Sequence, residues 1–177
     1  MQMENIIWLL YYQAMEKIIH PIPPVYDNSS EILILGSFPS VKSREEGFFY
    51  GHRMNRFWKV MESLFSVKHL ATIEEKKDFL LSHHIALWDV IGECSIEGSD
   101  DSSIRDAKPN DISKLIEQSK INMIFTNGNA ASKLYRSLLL PSVGIDDICL
   151  PSTSPRNASY SLERLIGRWS IILNYLD

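Results

Sequence analysis

Four short apolar runs, separated by segments of helical character, constrain the fold of this chain more than any other feature of its sequence. They are predicted as strands at residues 31–35, 85–88, 121–126 and 145–150. Strands that are short, continuously apolar and separated by helices are typical of a parallel sheet covered on both faces. The sequence therefore predicts an α/β fold with a four-stranded parallel sheet.

The segments between and after these runs carry apolar residues three and four positions apart, which is the spacing of one helix face. Between residues 56 and 65, for example, Phe57, Val60, Met61 and Leu64 follow this spacing. The predicted helices cover residues 56–65, 73–82, 111–118, 130–139 and 160–176.

The length of 177 residues and the 45% hydrophobic content are those of one compact domain. No repeat or internal linker divides the sequence, so we expect an N-terminal extension at residues 1–20 and a single domain at residues 21–177. The apolar run at residues 6–12 is too short for a membrane span and lacks the flanks of a secretory signal. We interpret it as a docking helix or a poorly ordered extension, with Met15 as an alternative start, and expect no membrane association.

Two features of the composition argue against whole classes of protein. Cys94 and Cys149 are too few for a disulfide framework, a four-thiolate zinc site or an iron–sulfur cluster, which predicts a cytoplasmic location and no bound metal. The net charge of −4 argues against a polybasic protein held to nucleic acid by bulk charge. The charge is uneven, however, because residues 40–60 and 119–177 are net positive and the rest is acidic. A local basic patch therefore stays compatible with the composition.

The segments that follow the predicted strands are where a ligand is expected, because the crevice of a parallel sheet lies beyond the carboxyl ends of its strands. These segments are residues 36–58, 89–104, 127–129 and 151–159. Neither a GxxxxGK[ST] phosphate loop nor a GxGxxG dinucleotide fingerprint occurs in the sequence, which argues against a nucleoside triphosphate or NAD. The acidic stretch at residues 100–103 is predicted to be a turn rather than a metal loop.

The densest feature is FFYGHRMNRFW at residues 48–58, with five aromatic residues, one His, one Asn and two Arg. Asn55 stands where a helix is predicted to begin. Its side chain has two interpretations, as an N-cap of that helix or as an amide that holds a water molecule or a base edge. The residues alone leave both open.

Six short segments, taken in order along the chain, resemble the uracil-DNA glycosylase superfamily. They are GSFPS at 36–40, FYGHRMNRFWKVM at 49–61, LWDVIGEC at 87–94, GSDDSSI at 98–104, FTNGNAASKLY at 125–135 and LPSTSPRNAS at 150–159. Their combination is most similar to the hypoxanthine-DNA glycosylase branch, also called the DNA-deoxyinosine glycosylases or family 6. The collinear order over about residues 20–170 argues against a chance match.

The resemblance implies a three-layer α/β/α sandwich with a central four-stranded parallel sheet, and excision of a deaminated base from DNA. Superfamily members commonly have Asp or Asn at the position of Phe38, and uracil-specific members have His-Pro-Ser where this chain has Leu150-Pro151-Ser152. In the hypoxanthine branch the essential amide matches Asn55, which becomes the predicted catalytic residue that orients a water. The mismatch-specific uracil branch also has Asn before Phe-Trp, so it is Phe38 that favours the hypoxanthine branch.

The resemblance also implies a pocket that holds a base rotated out of the duplex. Main-chain N–H groups of residues 36–38 and the hydroxyls of Ser37 or Ser40 are the expected donors to the base. The ring of Phe38 or Tyr50 is expected to stack on the base. The predicted base-binding residues are Gly36, Ser37, Phe38, Ser40, Tyr50, His52 and Asp89.

Three of the polar residues near this pocket have structural alternatives. His52 is a candidate to assist the leaving group, but an exposed or structural histidine is the commoner case. Asp89 follows the second strand, where relatives read the base edge, and the alternative is a cap or a salt bridge. Asn127 follows the third strand, and we interpret it as the cap of the helix at Ala130 in preference to pocket support.

DNA contacts are expected from basic and hydroxyl residues on either side of the pocket. The predicted DNA-binding residues are Lys42, Arg44, Arg53, Ser152, Ser154, Pro155, Arg156 and Asn157. The basic and hydroxyl side chains are expected at phosphates, and Pro155, Arg156 or Asn157 is expected to act as a wedge in the gap left by the flipped nucleotide.

These expectations describe a cofactor-free, monofunctional and monomeric DNA glycosylase, acting on double-stranded DNA that contains deaminated bases, hypoxanthine first. No lysine occupies an obvious pocket position, so no lyase activity is expected. The alternatives are a mismatch-specific uracil glycosylase, a non-catalytic protein that binds damaged bases, and a flavodoxin-like nucleotide-binding protein.

Overall fold

The structure is a computed structural model that describes residues 17–176. The apolar run at 6–12 and the alternative start at Met15 lie outside the described residues. The strands are β1 Lys17–Ile19, β2 Ile32–Gly36, β3 Ile85–Asp89, β4 Ile91–Ser95, β5 Arg105–Pro109, β6 Met123–Asn127 and β7 Asp147–Leu150. The helices are α1 Val41–Glu46, α2 Phe57–Leu64, α3 Ile73–Ser82, α4 Ser113–Glu117, α5 Asn129–Leu138, α6 Leu140–Val143 and α7 Leu162–Trp169, and 3₁₀ helices cover Asp101–Ser103 and Ser170–Tyr175.

The four apolar runs form the central sheet that the sequence predicts. Strands β3, β2, β6 and β7 lie side by side in that order, and each neighbouring pair is parallel. Gly36 at the end of β2 is paired with Asp89 at the end of β3. The register therefore brings the first two predicted ligand segments out of the sheet at the same point.

Both faces of the central sheet are covered, as the continuous apolar runs predict. Alternate residues of β2 point to opposite faces. Ile32 and Ile34 belong to a core cluster with residues of α2, α3 and α7, whereas Leu33 and Leu35 belong to a second cluster with residues of α4 and α5. All four side chains are fully buried, and each such burial contributes about 1.5–3 kcal/mol. The layered α/β architecture is thus confirmed.

A second sheet of three antiparallel strands, in the order β1-β4-β5, was not predicted from the sequence. Its strands are three to five residues long and partly exposed, and β5 reads RDAKP, so no apolar run or regular alternation marks them. Residues 17–20, which the sequence places in an N-terminal extension, lie at the edge of this sheet, where His20 N–H donates to the carbonyl of Gly92 at 2.8 Å. The folded part of the chain therefore includes these residues.

Helix boundaries agree with the predictions to within a few residues, with three exceptions, one of which is the four-residue helix α6, which was not predicted. The predicted helix at 160–176 is α-helical only in α7 and continues as a 3₁₀ helix. Helix α1 was not predicted, because its six residues are too few to show a period. It is instead delimited by its ends, where Ser40 accepts from the N–H of Ser43 and Gly47 has φ 69°. Within residues 17–176, no helix is both long and apolar enough to span a membrane.

Candidate active site

A cavity of about 320 Å³ opens at the carboxyl ends of β2, β3 and β6, at the lower end of the ~300–1,000 Å³ typical of small-molecule sites. Its walls come from all four segments that the sequence marks out after the strands. Asn55 and Asp89 lie on these walls together with Gly36, Phe38 and Tyr50. The other cavity-lining residues among the predicted set are Ser37, Ser40, His52, Ser152, Ser154, Pro155 and Arg156.

Asn55 lies directly before the start of α2 and lines the cavity. Its Oδ1 accepts a hydrogen bond from the N–H of Phe57 at 2.9 Å, but the N-cap position is Arg56, which has no side-chain cap. A carbonyl oxygen has two lone pairs, so one acceptor position and both amide N–H donors stay available to a group in the cavity. The hydrogen bond to Phe57 fixes the direction in which this amide points, and its role in holding a water molecule or a base edge stays a prediction.

Asp89 is buried at the floor of the cavity, and its carboxylate is held by a residue that the sequence did not single out. Oδ2 of Asp89 lies 2.8 Å from Nε2 of His20, and the two side chains are 5% and 2% exposed. Nδ1 of His20 accepts from the N–H of Ile22 at 3.2 Å. Because Nδ1 acts as an acceptor, the proton of the neutral ring lies on Nε2 and is donated to Asp89.

Tyr50 presents its hydroxyl to the cavity. The ring stacks on Phe57 with a centroid distance of 4.1 Å, and the backbone of Tyr50 is in the left-handed region with φ 55°. The hydroxyl oxygen is buried and makes no hydrogen bond of standard geometry among residues 17–176. Burial, and then the charge of Asp89, raise the pKa of this phenol well above its ordinary value, so it is an O–H donor at neutral pH. Phe57 covers one face of the Tyr50 ring, so stacking of the ring on a base would use the opposite face and stays a prediction.

Gly36 and Phe38 shape the wall beside Asp89. A Cβ at Gly36 would lie 2.2 Å from Oδ1 of Asp89 and 3.3 Å from the hydroxyl of Tyr50, so only glycine lets these two polar groups approach the end of β2. Phe38 is 8% exposed and meets the ring of His20 edge to face at 5.7 Å. Of the two rings predicted to stack on a base, Phe38 is the one that lines the cavity without a parallel partner ring in the described chain.

The small polar residues predicted as donors are engaged within the protein. The hydroxyl of Ser37 donates to Asp101 at 2.8 Å, and that of Ser40 caps α1. His52 is exposed at the rim, where its Nδ1 accepts from the N–H of Met54 at 3.2 Å. These three side chains line the cavity but have less hydrogen-bonding capacity left than the sequence interpretation assumed.

Asn127 supports the pocket and does not cap the following helix, so the interpretation as a cap is wrong. Its amide donates to Oγ1 of Thr153 and accepts from the N–H of Thr153, both at 2.9 Å. Helix α5 has Gly128 at its cap position, with φ 100° and no side-chain cap. The two-point contact to Thr153 joins the ends of β6 and β7 across the cavity.

Arg56, next to Asn55, also connects its segment to the loop at residues 151–160, which was not predicted from the sequence. Its guanidinium donates to the carbonyls of Thr153, Ser154, Asn157 and Tyr160, with the Ser154 contact at 2.6 Å. Four carbonyls of one loop thus converge on a single side chain. The segment that carries Asn55 and the loop at residues 151–160 therefore form one unit.

Within that loop, two of the three predicted wedge residues face outward. Pro155 and Arg156 are exposed at the mouth of the cavity. Asn157 is not free to act as a wedge, because its amide donates to the carbonyl of Ser152 and its Oδ1 accepts from Ser159. Ser152 and Ser154 each accept from a main-chain N–H two residues further on.

The predicted phosphate ligands differ in how free they are. Arg156 lies 3.3 Å from Asp100, and Lys42 is in an exposed ion pair with Glu45 on α1. Arg44 is half-buried, donates to the carbonyl of Pro39 and lies over the ring of Phe38, so its predicted role as a phosphate contact is not supported by its position. Arg53 is exposed in the loop beside His52.

No group of His, Cys, Asp and Glu side chains in the described part of the chain has the arrangement of a metal site. The stretch at 100–103 is the turn that was predicted, with Asp100 capping the 3₁₀ helix through the N–H of Ser102 at 3.1 Å. Cys94 and Cys149 are both free thiols.

Comparison with known proteins places this geometry among related chains. The model of the uracil DNA glycosylase superfamily matches residues 23–171. A protein named hypoxanthine DNA glycosylase from Methanosarcina acetivorans is 39% identical over 155 residues, which are 86% of this chain and 96% of the relative. One of the same name from Methanosarcina barkeri is 33% identical over 138 residues, 76% of this chain and 85% of the relative. A solution NMR structure from Methanosarcina acetivorans, described provisionally as a uracil DNA glycosylase, superimposes with a TM-score of 0.72 at 34% identity, covering 88% of this chain and 99% of that one.

Proposed function

This chain belongs to the uracil DNA glycosylase superfamily, and we propose that within it the chain is a DNA glycosylase that hydrolyses the N-glycosidic bond of deoxyinosine and releases hypoxanthine. The observation that carries the proposal is the cavity at the carboxyl ends of the parallel strands, where the amide of Asn55 and the carboxylate of Asp89 face one enclosed space. Two relatives that bear the name hypoxanthine DNA glycosylase support the choice of base.

The proposed reaction begins with rotation of the nucleotide out of the duplex, at a cost of a few kcal/mol that is lowest for a mispaired base. The base enters the cavity, where Phe38 provides an aromatic face and Asp89 a hydrogen-bond acceptor. The C–N bond breaks with positive charge developing on the sugar, the bonding electron pair leaves with the purine, and the proton lost by the added water ends on the released base. Asn55 accepts a hydrogen bond from the attacking water through the remaining lone pair of its oxygen. The amide is too weak a base to remove the proton, so its role is to position the water.

The proposed contacts to DNA are made around the mouth of this cavity. Arg156, Arg53 and Lys42 contact phosphates together with the hydroxyls of Ser152 and Ser154, and Pro155 with the stem of Arg156 fills the gap in the base stack. We further propose that the protein acts as a monomer on double-stranded DNA in the reducing cytoplasm, which agrees with its two free thiols.

The test is a glycosylase assay on duplex oligonucleotides, each with a single hypoxanthine, uracil or xanthine, followed by alkaline cleavage of the abasic site. We expect release of hypoxanthine to be fastest. Faster release of uracil identifies a mismatch-specific uracil glycosylase, a branch that shares the Asn before Phe-Trp and belongs to the same superfamily. Tight binding without strand cleavage after alkali identifies a non-catalytic protein that binds damaged bases, and overturns the proposal.

A further inference from the structure

One wall of the cavity holds a hydrogen-bond donor and an acceptor at the same point. Oδ1 of Asp89 and the hydroxyl of Tyr50 both lie against Gly36, at 2.2 and 3.3 Å from the position where a Cβ would be. The Tyr50 oxygen is buried and makes no hydrogen bond of standard geometry in the described chain, although the Asn127 amide interacts with it and opposes part of the rise in its pKa; such groups cost about 1–3 kcal/mol when they are left unpaired. A buried donor that points into a cavity beside a carboxylate indicates a ligand that pairs with both.

His20 determines which role Asp89 has in this pair. Its Nδ1 is used by the N–H of Ile22, so its Nε2 proton is donated to Oδ2 of Asp89. The ring of His20 is itself packed among Phe38, Phe49 and Trp88, at centroid distances of 5.7, 6.3 and 6.2 Å. Oδ2 of Asp89 is therefore used by His20, and Oδ1 is left as an acceptor on the side of the cavity.

We propose that Asp89 and Tyr50 together read the lactam edge of the base, and that His20 is the positioning residue that holds Asp89 as the acceptor. Oδ1 of Asp89 accepts from the ring N–H of the lactam, N1–H in hypoxanthine, and the hydroxyl of Tyr50 donates to the adjacent carbonyl, O6. This inference rests on the proposed function, since it names how that same site chooses its base.

The arrangement discriminates hypoxanthine from adenine by the order of donor and acceptor, whereas guanine and thymine have the same N–H beside a carbonyl and are not rejected by this pair. Hypoxanthine and uracil both have a ring N–H next to a carbonyl. Adenine has the reverse order, because its N1 is a bare acceptor and its amino group is a donor. An adenine in the same position would place a lone pair against the carboxylate of Asp89, which is a repulsive contact in a buried site. The site thus accepts the product of adenine deamination and rejects adenine itself.

Tyr50→Phe is the sharpest test, because it removes the hydroxyl and leaves the ring stacked on Phe57. We expect the single-turnover rate of hypoxanthine release to fall by roughly 10-fold or more, the usual consequence of losing a buried hydrogen bond to a substrate. Tyr26→Phe is the matched control, since the hydroxyl of Tyr26 donates to Gln118 in an exposed position outside the cavity. An unchanged rate in Tyr50→Phe overturns the proposal.

Binding measurements separate this proposal from the proposed function. Duplexes that carry an uncleavable 2′-fluoro analogue of deoxyinosine or of deoxyadenosine are compared by anisotropy titration. The wild-type protein is expected to prefer the inosine duplex, and Tyr50→Phe to lose most of that preference. Equal preference in both proteins overturns the assignment of the edge-reading pair, even if hypoxanthine is released. Failure of the wild-type protein to release hypoxanthine in the first assay refutes the proposed function instead.

The role of His20 is tested by two substitutions of different chemistry. His20→Gln retains a donor to Asp89, whereas His20→Phe keeps an aromatic ring among Phe38 and Trp88 but removes the donor. We expect His20→Gln to keep the preference for inosine and His20→Phe to lose it, with circular dichroism reporting the fold of each. If the folded His20→Phe protein keeps the wild-type preference, His20 is only a packing residue. The Tyr50→Phe comparison decides the edge-reading pair if His20→Phe does not fold.

Discussion

At the scale of single residues, Asn55 has an observed structural contact and a proposed chemical task. Its oxygen accepts from the N–H of Phe57, the first residue of α2, and its side chain lines the cavity. We predict that Asn55→Ala abolishes release of hypoxanthine, because the water loses its positioning group. The same change should lower the free energy of unfolding by about 1 kcal/mol through the lost hydrogen bond to Phe57. Single-turnover assays and urea unfolding measure the two effects separately.

Asn55→Asp retains oxygen acceptors for the N–H of Phe57 and for the attacking water, so we expect it to keep the release of hypoxanthine that Asn55→Ala loses. We expect its stability to equal that of the wild-type protein. Its DNA affinity, like that of Asn55→Ala, should stay within a fewfold of wild type. Release of hypoxanthine by Asn55→Ala at the wild-type rate would remove Asn55 from the mechanism.

The residues of the site differ in how visible they are in the sequence. Asn55 and Asp89 were found because they stand in short segments that resemble a known family and directly follow predicted elements. His20 was not found, since it precedes the first parallel strand and reaches Asp89 only across 69 positions of the chain. Arg56 was not chosen because its four partners are main-chain carbonyls of a distant loop, which leave no trace in residue types. Asn127 was misassigned because an asparagine is equally suited to cap a helix and to form hydrogen bonds to a neighbouring loop, here to Thr153.

At the scale of elements, the burial of each strand explains whether it could be predicted from the sequence. The central strands are covered on both faces, so every residue of β2 is buried and the sequence carries a continuous apolar run. Strands β4 and β5 make an antiparallel pair with two register irregularities and exposed charged residues. Such strands depend on their partners more than on their own sequence. They are therefore predictable only once the neighbouring chain is known.

Strand β7 is tied to β6 and α5 through one buried carboxylate, which gives a pH-dependent prediction. Burial alone raises the pKa of Asp147, but hydrogen bonds from Thr126 and Arg136, both at 2.6 Å, outweigh it and hold the pKa below the ordinary value. A carboxyl with a lowered folded-state pKa stabilises the fold above its unfolded pKa of about 3.9 and loses that contribution as pH falls through the folded value. We predict that Asp147→Asn costs roughly 1.5–3 kcal/mol at pH 7.

That cost should shrink as the pH is lowered below about 4, because protonation then removes the charge from the wild-type protein as well. Urea unfolding of both proteins at neutral and acidic pH measures it. Asp146→Asn is the control, since Asp146 is exposed and next in sequence. A difference between Asp147→Asn and wild type that stays constant across this pH range would contradict the assignment.

The loop at 151–160 also carries an ion pair that would compete with the proposed contact of Arg156 to DNA. Arg156, which is 66% exposed, is paired with Asp100 at 3.3 Å, and a phosphate would have to compete with that carboxylate. We predict that Asp100→Asn tightens binding to duplex DNA by roughly two- to threefold, as expected for removal of a weak surface pair. Asn is chosen because it retains an acceptor for the N–H of Ser102.

Arg156→Gln supplies the internal control for that prediction. Placed in this background, Asp100→Asn should change the affinity much less, since no guanidinium is left to release. Anisotropy titrations of the four proteins complete a double-mutant cycle. Equal effects of Asp100→Asn with and without Arg156 would mean that the gain comes from net charge alone.

At the scale of the whole molecule, the net charge of −4 and the predicted DNA partner are reconciled by where the charges lie. The exposed cations of the proposed DNA contact surface are few, namely Lys42, Arg53 and Arg156, and two of these already have acidic neighbours. Arg44 and Arg56 are engaged with main-chain carbonyls. We therefore expect the protein to hold DNA through a small footprint and a pocket for one base.

This distribution predicts a shallow dependence of DNA affinity on salt. The logarithm of the binding constant falls with the logarithm of salt concentration by about 0.9 per neutralised phosphate, so about three contacts correspond to a slope near −3. Titrations of an uncleavable inosine duplex between about 50 and 200 mM salt measure the slope. Arg53→Gln should reduce its magnitude by about one, whereas Arg56→Lys should disturb the loop and the catalytic rate more than the slope. A slope near −9, equivalent to about ten phosphates, would require a far larger basic surface than residues 17–176 present.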